Sequence, residues 1–335
     1  MDPQIAARFH DGILAAALPR YDIAPDAIRL LNGFESFIYE FDRPDGAYIL
    51  RLSHSLRRSP NLIRGEVDWI NYLAAGGATV ARAIVSEDGH LVELLDDGQG
   101  GHFLATAFCR APGGPVRRAQ IDESLFPTYG RLLGRMHALA QDYTPSNPAW
   151  KRPEWDDPTN LYGEKYMPAH ETIARDKYRH LLAHLSALPR DRAGYGMIHQ
   201  DAHLSNAFVD ADGTLTLFDF DDCVYGHFVY DLAMVLFYAA SMEKDPTAFT
   251  AHFMPLFLRG YREEYRLDPV WLAELPHFLK LREIDLFAVI QHDFPNGEYV
   301  EYPWCASFMR DRRERIAEEV PFIEFEWESL AEYLA

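Results

Sequence analysis

Between Ile28 and Phe108 the chain repeats short apolar runs, "IRLLNG", "FIYEFD", "AYILRL", "ARAIVS", "HLVELL" and "HFLATAF", separated by the turn signals "RPDG", "SEDG" and "DDGQGG". Runs of this length, rich in β-branched and aromatic side chains and joined by short polar turns, predict an antiparallel sheet of hairpins. One helix interrupts them. It begins "SPNLIRGEVDWINYL", where Ser59 can cap, Pro60 fits the first turn, and Ile63, Val67, Ile70 and Leu73 recur at helical spacing. Beyond "CRAPGG" at 109–114 the period changes to helical, in "FPTYGRLLGRMHALAQ", "ETIARDKYRHLLAHLSAL", "VYDLAMVLFYAAS", "AFTAHFMPLFLRGYREEY" and "WCASFMRDRRERIAEE". A single change of period predicts an α+β chain in two parts: a sheet lobe over 1–108, a hinge at 109–114, and a mainly helical lobe over 115–335. Residues 142–170, rich in Pro, Trp and Tyr, form an irregular segment that either covers a cleft or packs against a helix.

The start, "MDPQIAARFHDGILAAALPRYD", reads as an amphipathic helix whose apolar run is too short for a signal sequence or a bilayer span. Lys and Arg total 32 against 51 Asp and Glu, a formal charge of −19. That field disfavours nucleic acid and anionic membrane and favours small cations. Three widely spaced cysteines, Cys109, Cys223 and Cys305, suit a reducing cytoplasm better than a disulfide framework.

The densest chemistry lies in "HQDAHLSNAFVDADGTLTLFDFDD", from His199 to Asp222. Two short strands joined around Asp212 and Gly213 predict a hairpin, with Leu215 and Leu217 alternating with threonines. Its closed ends set Asn206 and Asp219 toward one place, with Asp201 on the loop just before. Three oxygen-bearing side chains suit a hard cation such as Mg²⁺, which takes a few carboxylate contacts together with phosphate oxygens and water.

The spacing His199-x-Asp201-x-x-x-x-Asn206 followed by Asp219-Phe220-Asp221 resembles the catalytic loop and metal-binding segment of the kinase fold. "MIHQDAHLSNAFV" and "LFDFDDCVYGHFVYDLA" look like the aminoglycoside phosphotransferase and choline kinase group, with Gln200 where that group usually has glycine. The resemblance implies a two-lobed protein-kinase-like fold with a five-stranded antiparallel sheet lobe, and transfer of the γ-phosphoryl group of ATP or GTP to a small-molecule hydroxyl. It implies Asp201 as catalytic base, Asn206 and Asp219 as Mg²⁺ ligands, and His199 and Asp231 as supports of the loop. Arg51, paired with Glu66, takes the place of the usual lysine on the third strand, and Gly33 and Ser36 take the place of the phosphate-covering loop. Together with backbone groups near Phe108 these would line a nucleotide site between the lobes. Asp221 and Asp222 read either as a solvated turn or as contacts to substrate or a second metal. The stretch "LKLREIDLFAVIQHDF" is expected to shape the acceptor pocket, whereas Trp304, Phe308 and Met309 read as core.

Two rivals remain on sequence alone. "HQDAH" places His199, Asp201 and His203 together as a metallohydrolase would, and Arg51 with a glycine-poor loop would suit a nucleotide-binding protein without transfer. A cationic amino alcohol, aminoglycoside or amino acid is the expected acceptor, with a protein Ser/Thr hydroxyl as a further possibility.

Overall fold

The computed structural model describes residues 2–31, 33, 35–117, 123–241 and 243–335. They divide into two compact units: residues 1–114, 143–152 and 207–221 in the first, and residues 115–142, 153–206 and 222–335 in the second. The segments 143–152 and 207–221 group by their contacts with the sheet-bearing part, although in sequence they lie among the helices.

The first unit is built on β1 (Ile28–Leu31), β2 (Phe37–Arg43), β3 (Gly46–His54), β4 (Ala83–Ile84), β5 (Glu93–Asp96) and β6 (His102–Cys109). The order is β1-β2-β3-β6-β4, every pair antiparallel, with β5 also on β6. The sheet is therefore five positions wide but has six strands. One edge of β6 pairs first with β5, as Glu93 opposite Ala105, and then with β4, as Ile84 opposite Ala107. Two short runs that read as neighbours in sequence thus share a single position.

Helix α1 (Pro60–Ala75) starts as its sequence predicts: the Ser59 hydroxyl accepts from Leu62 N at 3.3 Å. Ile63, Val67, Ile70 and Leu73 are all buried on one stripe, each contributing roughly 1.5–3 kcal/mol. The N-terminal stretch forms two short helices, Pro3–Arg8 and Asp11–Ala17, rather than one. The break comes where His10 turns extended and its imidazole accepts from Gly12 N at 3.1 Å, capping the second. Ile5, Ile13 and Ala17 then join Leu50, Leu52 and Phe103 of the sheet in one core.

The hairpin 207–217 pairs Ala207 with Leu217 and Val209 with Leu215. The Asp210 carboxylate accepts from the backbone of Asp212 and Thr214, and Gly213 takes φ 79°, which closes the turn. Backbone bonds from Ala81 N to Leu217 O (2.9 Å) and from Leu217 N to Thr79 O (3.0 Å) fix the hairpin to the first unit.

In the second unit, α2 (Leu125–Ala140), α3 (Thr172–Ser186), α4 (Phe228–Ala240), α5 (Pro246–Glu264) and α6 (Leu275–Asp293) carry the core. Helices α2 and α5 pack backbone to backbone: a methyl on Gly130 would stand 1.9 Å from Phe257 O, and one on Gly260 2.0 Å from Pro127 O. A two-stranded ladder, Tyr195–Ile198 against Val224–His227, carries the chain into the loop at His199. The last predicted helix is two, Pro303–Met309 and Arg312–Ala317, separated at Asp311 (φ 52°). The break turns Arg312 inward, where its Nε donates to Phe308 O at 2.8 Å and its guanidinium meets the buried Glu283. Phe308 is buried, and Trp304 stacks on it with centroids 5.4 Å apart.

Residues 142–170 are divided between the two units. Tyr143 lies against Trp69 and bonds Asp68 at 2.8 Å in the first unit, and Trp155 is buried in the second.

Candidate active site

Two charged constellations arise, one in each unit. In the first, β3 presents Arg51 and α1 presents Glu66, and the two meet in a bidentate pair with both bonds at 2.7 Å. Both are buried, and the Arg51 guanidinium also lies 5.0 Å above the Phe108 ring. Burial pulls the Arg51 pKa down, but the Glu66 carboxylate outweighs it, so the guanidinium is held above its ordinary range and stays charged. Gly33 has a steric reason: an added Cβ would stand 2.0 Å from Ser36 O, so the turn before β2 admits no side chain there. Ser36 is buried beside it, whereas Asn32 and Phe34 of the same turn lie outside the described residues.

Asp219 follows the hairpin with φ 64°, an uncommon conformation for a residue with a side chain. Two residues on, Asp221 is buried rather than set in a solvated turn. Its Oδ2 accepts from Arg57 and from Arg58 Nε (3.2 Å), and its carbonyl accepts from Arg152 at 2.6 Å. Burial alone would raise the Asp221 pKa, but Arg57 and Arg58 hold it well below the usual carboxylate range. Its other oxygen, Oδ1, is buried without a hydrogen-bond partner. An orphaned carboxylate oxygen in sequence beside Asp219 is what an oxygen-seeking cation would satisfy, so the donor set fits Mg²⁺.

In the second unit, the start of the loop after Ile198 is anchored on Asp231, and Tyr129 and Asn206 bond its carbonyls further on. Asp231, in the first turn of α4, accepts from His199 N (2.9 Å) and Gln200 N (2.7 Å), and is itself fully buried. His137 of α2 stands behind it, with Nε2 3.2 Å from Asp231 and Nδ1 2.7 Å from the Tyr261 hydroxyl. Burial lowers the His137 pKa against the pull of Asp231, so a neutral imidazole donates to the carboxylate. His199 is also buried, its Nδ1 accepting from Asp201 N at 3.3 Å. Gln200 takes φ 68°, the left-handed region that glycine enters without cost, which gives the usual glycine at this position its physical reason.

Asp201 projects from this loop, half-buried. Its Oδ1 lies 3.0 Å from Arg282 of α6, and its Oδ2 lies 3.3 Å from His203 Nε2 and 3.2 Å from Asn206 Nδ2. Burial pushes its carboxyl up, but the His203 hydrogen bond and the Arg282 guanidinium prevail and hold it well below the usual range. Asp201 is therefore a standing carboxylate. Asn206 also donates to Asp201 O at 3.1 Å, which commits its amide nitrogen to the loop. Arg282 Nε donates to the Tyr238 hydroxyl at 3.1 Å, and one turn further along α6 the buried Asp285 accepts from Gly163 N and Tyr178 OH, both at 2.8 Å. Burial raises the Asp285 pKa to about 6. Asp222 lies 3.5 Å from the Tyr162 hydroxyl.

Asp201, Asn206, His199 and Asp231 are thus brought together in the second unit, and Arg51, Glu66 and Phe108 in the first. Arg57, Arg58, Arg152, Tyr238, Arg282 and Asp285 carry no motif. Arg282 and Asp285 still leave a trace, because they stand among Leu281, Ile284, Phe287 and Ala288 on a largely buried helix, where unpaired charge is costly.

Residues 26–275 match the Phosphotransferase enzyme family. The chain belongs to that family. It is 39% identical over 311 residues to the amicoumacin kinase of Bacillus subtilis (strain 168), covering 90% of this chain and 92% of the relative. Among solved structures it is similar to an amicoumacin kinase in complex with AMP-PNP, Ca²⁺ and Ami, with TM-score 0.92 and 33% identity over 98% of this chain and 100% of the other. A microcompartment-associated aminopropanol kinase shares the fold, with TM-score 0.73 and 24% identity over 92% of this chain and 98% of the other. The protein-kinase-like α+β fold and phosphoryl transfer to a small molecule are therefore properties of this member, which replaces both the hydrolase and the transfer-free readings. In keeping with that, among the described residues His199, Asp201 and His203 do not gather their ligand atoms as a metal trio. No helix among the described residues is long and apolar enough to cross a membrane.

Proposed function

We propose that this family member is an ATP- and Mg²⁺-dependent kinase whose acceptor is a hydroxyl of amicoumacin or of a compound of that amine-bearing class. The observation that carries the reading is the 39% identity, spread over nine-tenths of the chain, to an amicoumacin kinase. The formal charge of −19 favours a cationic acceptor over an anionic one.

In this reading Arg51, oriented by Glu66, meets the nucleotide phosphates, and Gly33 leaves the backbone free to approach them. Asp219 and Asn206 would hold Mg²⁺, with Asp221 Oδ1 as a further oxygen, and the ion would supply charge neutralisation at the β- and γ-phosphates. Asp201 aligns the acceptor hydroxyl and takes its proton as the new O–P bond forms and the bond to ADP breaks. A carboxylate whose pKa is depressed is a weak base, so Asp201 contributes mainly by orientation, with proton transfer late in the step. Arg282 is a positioning residue: it fixes one Asp201 oxygen and leaves the other toward His203 and Asn206. Asp231 and His137 keep the loop in place.

The test is ADP release by the purified protein with ATP and Mg²⁺ against amicoumacin, aminopropanol, hydroxylysine, spectinomycin and a mixed protein substrate. Turnover with amicoumacin well above the others is expected. Background ADP release with every small molecule, together with phosphate appearing on protein serine or threonine, would overturn the acceptor assignment.

A further inference from the structure

On the second unit, outside the constellation of Asp201, three side chains converge from two helices. His184 lies in the last turn of α3, Glu274 immediately precedes α6, and His277 lies in the first turn of α6. His184 Nε2 is 2.7 Å from Glu274 Oε2, His277 Nδ1 is 3.0 Å from the same oxygen, and one ligand atom from each lies within 4.8 Å of the others. The two imidazole centroids are 4.5 Å apart.

We infer that His184, Glu274 and His277 form a binding site for a first-row transition-metal dication such as Zn²⁺. Bonds of about 2.0–2.2 Å in tetrahedral geometry require donor atoms about 3.3–3.5 Å apart. The observed separations reach that with small side-chain rotations. His277 Nδ1 is buried and, at 3.0 Å from Glu274 Oε2, is not aligned with it as a hydrogen bond, which leaves that nitrogen open to a ligand. Glu274 is mostly covered at 18% exposure, while the histidines are 45% and 44% exposed, so the carboxylate is anchored and the remaining coordination positions face water. Two imidazoles and one carboxylate suit zinc, nickel or copper and disfavour Mg²⁺, which seeks oxygen. The site is thereby chemically separate from the nucleotide's metal. A bound ion would cross-link α3 and α6, the same two helices joined further along by the Tyr178 to Asp285 hydrogen bond.

The experiment is calorimetric titration of the full chain with zinc chloride and no nucleotide, paired with thermal unfolding. One equivalent of zinc is expected to bind, Tm to rise by about 2 °C at zinc ten times its Kd, and magnesium to produce no change. Both effects should vanish in His184→Gln and in His277→Gln, whose metal-free Tm should match that of the parent. Should either substitution lower the metal-free Tm, cobalt spectra of the unsubstituted protein decide: tetrahedral d–d bands without thiolate charge transfer support the site. Absence of zinc binding, zinc binding that survives both substitutions, or a cobalt spectrum showing thiolate ligation from Cys109, Cys223 or Cys305 would each overturn it.

Discussion

The two constellations use charge in opposite ways. In the first unit Arg51 and Glu66 satisfy each other through two parallel bonds, and Asp221 is enclosed by Arg57, Arg58 and Arg152. Arg51 and Glu66 stand on β3 and α1, while Asp221 and its three arginines come from the connecting segments around them. In the second unit the proposed catalytic carboxylate, Asp201, stands on a loop that makes no ladder of its own. Its shape is set by two amides bound to Asp231, and its charge is balanced by Arg282, 81 residues away in sequence. A closed pair fixes a framework, whereas the Asp201 carboxylate, with Arg282 on one oxygen and His203 and Asn206 on the other, stays partly exposed. Substitutions should therefore separate by unit: loss of stability in the first, loss of turnover in the second.

Asp201→Asn should give the largest effect on turnover, a fall in kcat of roughly a hundredfold or more, the usual range for losing a positioned base. Asparagine retains the shape but accepts no proton, so the Kd for ATP measured by calorimetry should hardly change. A matching loss of ATP affinity would mean that the second constellation also holds the nucleotide, and the division between units would fail.

Arg51→Ala should act in the opposite sense. It leaves Glu66 without its partner at zero exposure, and stranding one member of a buried pair typically costs about 3–5 kcal/mol. Denaturant unfolding should show that loss together with a raised KM for ATP, and Arg51→Lys should recover part of both. Wild-type stability and KM in Arg51→Ala would remove β3 from the nucleotide-binding role.

What the sequence disclosed follows the same division. The sheet was readable because each strand carries its own period and turn chemistry, and α1 because Ser59, Pro60 and the Ile63 stripe are local signals. The expectation at Asp201, Asn206 and Asp219 could be formed because their spacing is contained in two dozen residues. That six strands fill only five positions was not readable, because the sharing of one β6 edge by β4 and β5 depends on register. Nor were the N-terminal and C-terminal helix breaks: His10 and Asp311 interrupt otherwise continuous helical patterns through a side-chain cap in one case and a buried arginine in the other. Arg57, Arg58, Arg152 and Arg282 are ordinary charges in sequence, and only the tertiary fold supplies the carboxylates they meet.

Arg282→Met tests the open side of the comparison with a smaller effect, about tenfold in kcat. Without the guanidinium, burial raises the Asp201 pKa with only His203 and its neighbours opposing it. A carboxylate with a depressed pKa is ionised down to acid pH, so in the wild type Asp201 should set no acid limb at ordinary assay pH. In Arg282→Met the acid limb of kcat should move upward, making the defect larger at pH 5 than at pH 8, while KM for ATP stays near wild type. A uniform defect across that range would reduce Arg282 to packing.

The smallest effect is expected at Gln200, and it measures how firmly the loop is held. A side chain at φ 68° costs about 1–2 kcal/mol, partly offset because glycine at the same place loses about 0.5–1 kcal/mol more entropy on folding. In Gln200→Gly the strain is relieved while the entropy cost of folding rises, so stability should stay within about 1 kcal/mol of wild type. Gln200→Ala keeps the strain, and should fall below Gln200→Gly by about 1 kcal/mol. Since the amide at 200 still reaches Asp231 in both, kcat should be close to wild type in each. Equal melting temperatures for the two variants would show that the left-handed backbone is not what favours glycine here, and that the Asp231 clamp absorbs the strain.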